Sequence, residues 1–204
     1  MSDEKKSIEA KGEHWDFEVD AELPDSLTGD DDDEDSYQLR LDEAAGTELW
    51  SYSTGGLGGS APTVVGGTVF AGGDGDSVYA IDAESGAEQW VFETDDFVES
   101  APTVVDGLAV VGSDDGHIYA IDADTGDEEW AFQTARFVES SPTVAGNAVF
   151  VGSGDGSVYS LHAKMGRERW VVDTDGPIYA SPTVTNSTVY IGSDDGHVYA
   201  LSAG

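Results

Sequence analysis

The chain has 204 residues, 42 Asp and Glu against 8 Lys and Arg, a formal charge of −34, and no cysteine. That balance repels phosphate backbones and anionic headgroups, which excludes nucleic-acid and membrane-surface binding. The missing thiols exclude disulfides, thiolate nucleophiles and Cys-ligated metals. With 39% hydrophobic and 10% aromatic residues there is enough apolar material for the packed core of one ordinary domain. No run approaches the ~18 apolar residues of a membrane span. Lys5 and Lys6 have no apolar stretch behind them and do not read as a signal peptide, so a cytoplasmic location is expected for the chain as written.

Residues 1–36 differ in kind from the rest of the chain. Asp30 to Asp35 is a self-repelling acidic block and reads as a solvated loop. Its carboxylates alternate, but it lacks the glycine and helical flanks of a calcium-binding EF-hand. Just upstream, Ile8 to Phe17 imitates a turn and a Trp strand of the later sequence, with Trp15 standing 35 residues before Trp50. This segment is read as a decayed, partly disordered repeat.

From 37 to 204 the chain repeats itself. Trp50, Trp90, Trp130 and Trp170 are 40 residues apart. The same step separates Pro62, Pro102, Pro142 and Pro182, then Gly72, Gly112, Gly152 and Gly192, then Tyr79, Tyr119, Tyr159 and Tyr199. Four columns in register without an insertion mean one supersecondary unit copied four times. In the copy after Trp90, residues 100–105 form a first strand with Pro102 near its start, where a missing N–H does least harm. Asp106-Gly107 is a two-residue hairpin turn and 108–112 a second strand. The turn 113–116 leads to a third strand over 117–122, and the turn 124–127 to a fourth over 129–133. No segment carries a helical period. The fold is all-β: a β-propeller of four-stranded antiparallel blades, with Trp50, Trp90, Trp130 and Trp170 wedged between blades.

Ser141 to Val144, Val149 to Tyr159 and Asp122 to Trp130 carry the pattern Ser-Pro-Thr-Val, Val-Phe-Val-Gly-Ser-x-Asp-Gly-x-Val-Tyr and Asp-Ala-x-x-Gly-x-x-x-Trp. This resembles the pyrroloquinoline-quinone-type (PQQ-like) propeller repeat over residues 37–204. The resemblance implies either an eight-bladed quinoprotein dehydrogenase or a cofactor-free scaffold of the kind that assists outer-membrane assembly. The acidic surface further resembles proteins of salt-loving archaea, in which carboxylates maintain hydration. Family dehydrogenases set an adjacent cysteine pair against the quinone and hold calcium with acidic and amide side chains. This chain has no cysteine, and Asn147 and Asn186 both fall at hairpin turns, so neither quinone nor calcium is expected.

The strand count begins at 37–42 and 48–53, continues through three full blades and closes on three strands ending near Leu201. The strand at Trp50 lacks a blade and the last blade lacks a Trp strand, so the two remnants match. The expectation is an arc, or a homodimer completing a larger ring, ahead of a small four-bladed ring; a truncated gene remnant is a further reading.

No catalytic constellation emerges. His117 and His197 share a repeat position two blades apart, His162 replaces an Asp of the repeat, His14 lies in the tail, and no Gly-x-Ser-x-Gly elbow occurs. Turn chemistry accounts for Asp74-Gly75-Asp76, Asp114-Asp115-Gly116, Gly154-Asp155-Gly156 and Asp194-Asp195-Gly196. What remains is the rim before each first strand: 57–59, then Phe97, Val98 and Glu99, then Phe137, Val138 and Glu139, then 177–179 with Tyr179. Arg136 beside Phe137 is a candidate anchor for a protein partner, against the plainer reading that Phe97 and Phe137 cap the core. The expected function is a non-catalytic interaction scaffold adapted to high salt; the alternative is a PQQ-dependent dehydrogenase or a fragment of one.

Overall fold

The computed structural model describes residues 8–10, 13–15, 46–56 and 60–204. The chain divides into two compact units, 1–47 and 48–204. In the first, β1 (Ile8–Ala10) and β2 (Glu13–Trp15) form a hairpin with Ile8 opposite Trp15. The acidic block and residues 37–42 lie outside the described residues.

In the second unit each repeat becomes one antiparallel sheet with its strands in sequence order. The first sheet holds β3 (Thr63–Val65), β4 (Thr68–Gly73), β5 (Ser77–Asp82) and β6 (Glu88–Glu93). The second holds β7 (Thr103–Val105), β8 (Leu108–Gly112), β9 (His117–Asp122) and β10 (Glu128–Gln133). The third holds β11 (Thr143–Ala145), β12 (Ala148–Gly152), β13 (Ser157–His162) and β14 (Glu168–Asp173). The fourth holds three strands, β15 (Thr183–Thr185), β16 (Thr188–Gly192) and β17 (Val198–Ser202). The architecture is all-β, with no helix among the described residues.

Local chemistry sets these boundaries. Asp106 (φ 50°) and Gly107 (φ 80°) supply the two left-handed residues of a tight hairpin. First strands begin after the proline rather than before it, shorter than expected, because the preceding residues bond elsewhere. Ser100 Oγ exchanges hydrogen bonds with the N–H and carbonyl of Gly112, at 2.7 and 2.8 Å.

The core lies between sheets. Val110, Ile118, Ala120 and Trp130 of the second sheet pack against Val149, Val151, Leu161 and Ala163 of the third. The first two seams are fastened by an indole hydrogen bond, and at the third Trp170 contributes packing. Trp90 Nε1 donates to the Ala123 carbonyl at 3.0 Å and Trp130 Nε1 to Ala163 at 2.9 Å. The rings lie over Gly126 and Gly166, where an added Cβ would come within 2.8 and 2.6 Å of them.

The two ends of this unit depart from the repeat. Residues 48–53, expected as a strand, belong to no sheet. They nevertheless sit as a fourth strand would against the first sheet. Trp50 Nε1 donates to the Ala83 carbonyl at 3.0 Å. Tyr52 meets Tyr79 edge-on at 5.5 Å and 61°, as Phe132 meets Tyr159 at 5.5 Å and 63°. What the segment lacks is a neighbouring third strand, for among the described residues β17 pairs with β16 alone. Trp170 Nε1 is buried with no acceptor among the described residues.

Two stability changes are expected. Trp130→Ala should destabilise the chain by about 3–5 kcal/mol, the usual cost of deleting a large buried aromatic, and an unshifted thermal melt would remove Trp130 from the core. Ser187 holds a left-handed φ of 59° beside Asn186 at 49°. Ser187→Gly should raise stability by about 1 kcal/mol by relieving that strain, read as a higher melting temperature.

Candidate functional site

Three linkers lead from an outer strand to the first strand of the next sheet, and each plugs the seam with its middle residue. Val98, Val138 and Ile178 are fully buried. The glycine column makes this possible: a Cβ on Gly72, Gly112 or Gly152 would come within 2.4, 2.4 or 2.1 Å of them. Backbone bonds lace each linker to the sheets beside it. Val138 N–H donates to the Ser113 carbonyl at 2.9 Å, and the Phe137 carbonyl accepts from Gly154 N–H at 2.9 Å.

Because the middle residue points inward, its neighbours point out. Phe97 is 41% and Tyr179 43% exposed. Phe137 stacks on Tyr179 at 5.5 Å and 24°, and the Arg136 guanidinium lies 5.5 Å from the Phe137 ring. Gly154 leaves the space that ring fills, since a Cβ there would approach it to 2.2 Å. The buried valines and isoleucine therefore close the seam, and Phe97 and Phe137 dress its mouth. Residues 57–59 lie outside the described residues.

Where the third sheet has Gly154, the second has Asp114, and here the acidic part of the site gathers. Glu99, Asp114 and Glu139 each offer a carboxylate oxygen within 4.8 Å of the others. Asp114 Oδ1 is buried without a hydrogen-bond partner among the described residues. Burial, then the charges of Glu139 and Glu99 and more weakly Asp96 and Asp115, push the Asp114 carboxyl up to about 6. Burial and Glu99 raise Glu139 as well. These three are the residues placed to offer oxygen donors to a cation. Their meeting was missed in the sequence, although Glu99 and Glu139 share a repeat position and so had to project from adjacent linkers.

The neighbouring turn aspartates are otherwise engaged. Asp115 accepts from Tyr119 Oη at 2.7 Å, from Asp95 N–H at 3.1 Å and from His117 N–H at 2.8 Å. Asp155 does the same with Tyr159, Ala135 and Ser157. These bonds hold both carboxyls below the ordinary range against the opposing effect of burial. The histidines pair locally: His117 and His197 each place Nδ1 3.1 Å from their own Asp115 and Asp195.

The two classes of carboxyl have opposite linkage. A carboxyl raised in the folded chain binds more protons there than when unfolded, so its contribution to stability falls as pH rises from about 4 to 6. Asp115 and Asp155 are lowered, and their contribution is lost as pH falls below the ordinary carboxylate range. Asp114→Asn should therefore raise the melting temperature at pH 7 and flatten its decline between pH 4 and 7. A slope identical to the parent would show that Asp114 does not carry the effect.

Known proteins share the repeat and the fold of this chain. The sequence matches the family described as outer membrane protein assembly factor BamB over residues 36–141 and 134–204. Among curated proteins none matches. Among solved structures, BamB from Moraxella catarrhalis superposes with a TM-score of 0.65 at 22% identity, covering 76% of this chain and 49% of that one. The chain thus spans about half of that protein. The computationally designed Ika4 protein gives 0.68 at 20% identity, with 78% and 99% covered. The quinohemoprotein alcohol dehydrogenase ADHIIG from Pseudomonas putida HK5 gives 0.61 at 21% identity, with 71% and 32% covered. These likenesses are likenesses of fold. The family match covers most of the sequence, and the chain belongs to the PQQ-like propeller-repeat family described as outer membrane protein assembly factor BamB.

Proposed function

We infer that this chain is a non-catalytic protein-interaction module, suited to concentrated salt, whose linker rim takes a partner segment bearing basic and aromatic side chains. The observation that carries this is the Phe137–Tyr179 stack, exposed at Tyr179, on the same linker as Glu139, one of three clustered carboxylates that repel one another. Apolar surface rimmed by charge is how proteins present a docking site. A cation arriving among Glu99, Asp114 and Glu139 would relieve their repulsion, and an aromatic group would extend the stack. The family description, an assembly factor, supports a role in contacts between proteins. The excess of 42 acidic over 8 basic residues supports hydration in salt as the reason for the charge.

The rival reading is a quinone-dependent dehydrogenase, favoured by the similarity to ADHIIG and by the clustered carboxylates. The residues present do not fit a quinone. The chain has no cysteine, Asn186 forms a left-handed hairpin turn, and Asn147 Oδ1 accepts from Arg169 at 3.3 Å.

A displayed peptide library panned against the chain in molar KCl tests the proposal. Enriched peptides should carry Lys or Arg beside an aromatic residue. They should lose at least tenfold in affinity on Tyr179→Ala, which removes the stack, and on Glu99→Gln, which removes an exposed carboxylate of the cluster, with unshifted melts. Binding indifferent to both changes would move the site elsewhere. A saturable absorption band with added quinone and calcium, together with dye-linked alcohol oxidation, would establish the rival.

A further inference from the structure

The fourth sheet exposes what the other three bury. Val198 is 78% exposed, whereas Val78, Ile118 and Val158 at the same repeat position are fully buried. Tyr190 is 42% exposed against 2, 0 and 1% for Phe70, Val110 and Phe150. Ala200 is exposed where Ala80, Ala120 and Ser160 are buried. Thr63, Thr103 and Thr143 donate to Pro102, Pro142 and Pro182 of the next sheet, while Thr183 is exposed. This is one half of an inter-sheet seam.

The other half stands at the opposite end. On the first sheet Val64 is 62% exposed, while Val104, Val144 and Val184 are each partly buried against the preceding sheet. Residues 48–54 lie beside it with the side-chain contacts of a fourth strand and no ladder. Among the described residues, the edge of β17 has a ladder to offer and no fourth strand. Elsewhere the third and fourth strands pair Ala120 with Trp130 and His117 with Gln133, and Thr134 N–H donates to the Gly116 carbonyl. Carried along by the repeat, that register sets Ala200 opposite Trp50, His197 opposite Ser53 and the Gly196 carbonyl at Thr54 N–H.

We propose that a second copy of this chain completes both seams: residues 48–54 of each copy add to β17 of the other, and the fourth sheet of each packs on the first sheet of its partner. A two-fold axis makes the two junctions identical and leaves no edge unpaired. One feature favours a second copy over closure within one chain: the segment is already fastened to its own first sheet, with no ladder to β17 among the described residues. Joining two chains of formal charge −34 is opposed by repulsion that salt removes, since the Debye length at 1 M is ~3 Å. The rim plays no part, so the pairing of chains and the docking of a partner at the rim stand or fall separately.

Cross-linking decides the matter, because the chain has no cysteine of its own. Ser53 and His197 are both exposed, so Ser53→Cys and His197→Cys leave the core untouched. Mixed in molar KCl and oxidised, the two single variants should yield a disulfide-joined species of twice the 21.4 kDa chain mass, and the parent chain should sediment as a dimer. Lowering the salt should shift it toward monomer. A parent that stays monomeric in molar KCl, with no joined species, overturns the proposal. A chain carrying both cysteines that cross-links to itself as a monomer also overturns it, in favour of closure within the chain. Open-ended polymers would overturn the two-fold arrangement.

Discussion

The indole seam is the interaction on which the rest depends. A four-stranded sheet of these sequences is apolar on both faces, so it cannot stand alone in water. Trp90 and Trp130 resolve this by reaching from an outer strand onto the next sheet. There each donates its N–H to an alanine carbonyl and covers a glycine that no side chain could share. The bond fixes direction, the ring supplies buried area, and the glycine sets the distance. Remove any of the three and the sheets lose their relative placement, along with everything carried on the linkers between them.

The rim is a by-product of that placement. Each linker must cross from the outside of one sheet to the inside of the next, and its middle residue, Val98, Val138 or Ile178, is taken up in sealing the seam. The alternation of extended chain then forces the flanking residues outward. Phe97, Phe137, Glu99, Glu139 and Tyr179 are displayed for that reason, and the proposed docking at the rim would use the faces these residues turn outward. The carboxylates meet because adjacent linkers repeat the same geometry with the same residue, which brings two glutamates toward one hairpin aspartate.

Charge acts on two scales. Across the surface a formal charge of −34 sets like-charged copies to repel one another, a repulsion that salt screens. At Asp114 it is local: an orphaned oxygen and like-charged neighbours favour the protonated form. At the next residue, Asp115 is held ionised by Tyr119 and two backbone N–H groups. Adjacent aspartates in one turn are thus shifted in opposite directions: burial and like-charged neighbours raise Asp114, while hydrogen bonds lower Asp115.

The repeat was legible from the sequence because its period is a property of the chain. Trp, Pro, Gly and Tyr columns forty residues apart disclose the sheets, their strand order and the hairpin turns, since each depends on nearest neighbours or on backbone angles that few residues accept. The sequence also marked Phe137, Arg136 and Tyr179 as rim candidates before the first strands, though not the stack that Phe137 and Tyr179 form. What only the tertiary structure decided lies between repeats. That Glu99, Asp114 and Glu139 converge, and that β17 keeps an open edge while residues 48–54 dock without a ladder, are matters of angle and distance across a seam. Periodicity records which residues recur along the chain; it carries no measure of how far one sheet is turned from the next, and that rotation determines which side chains meet.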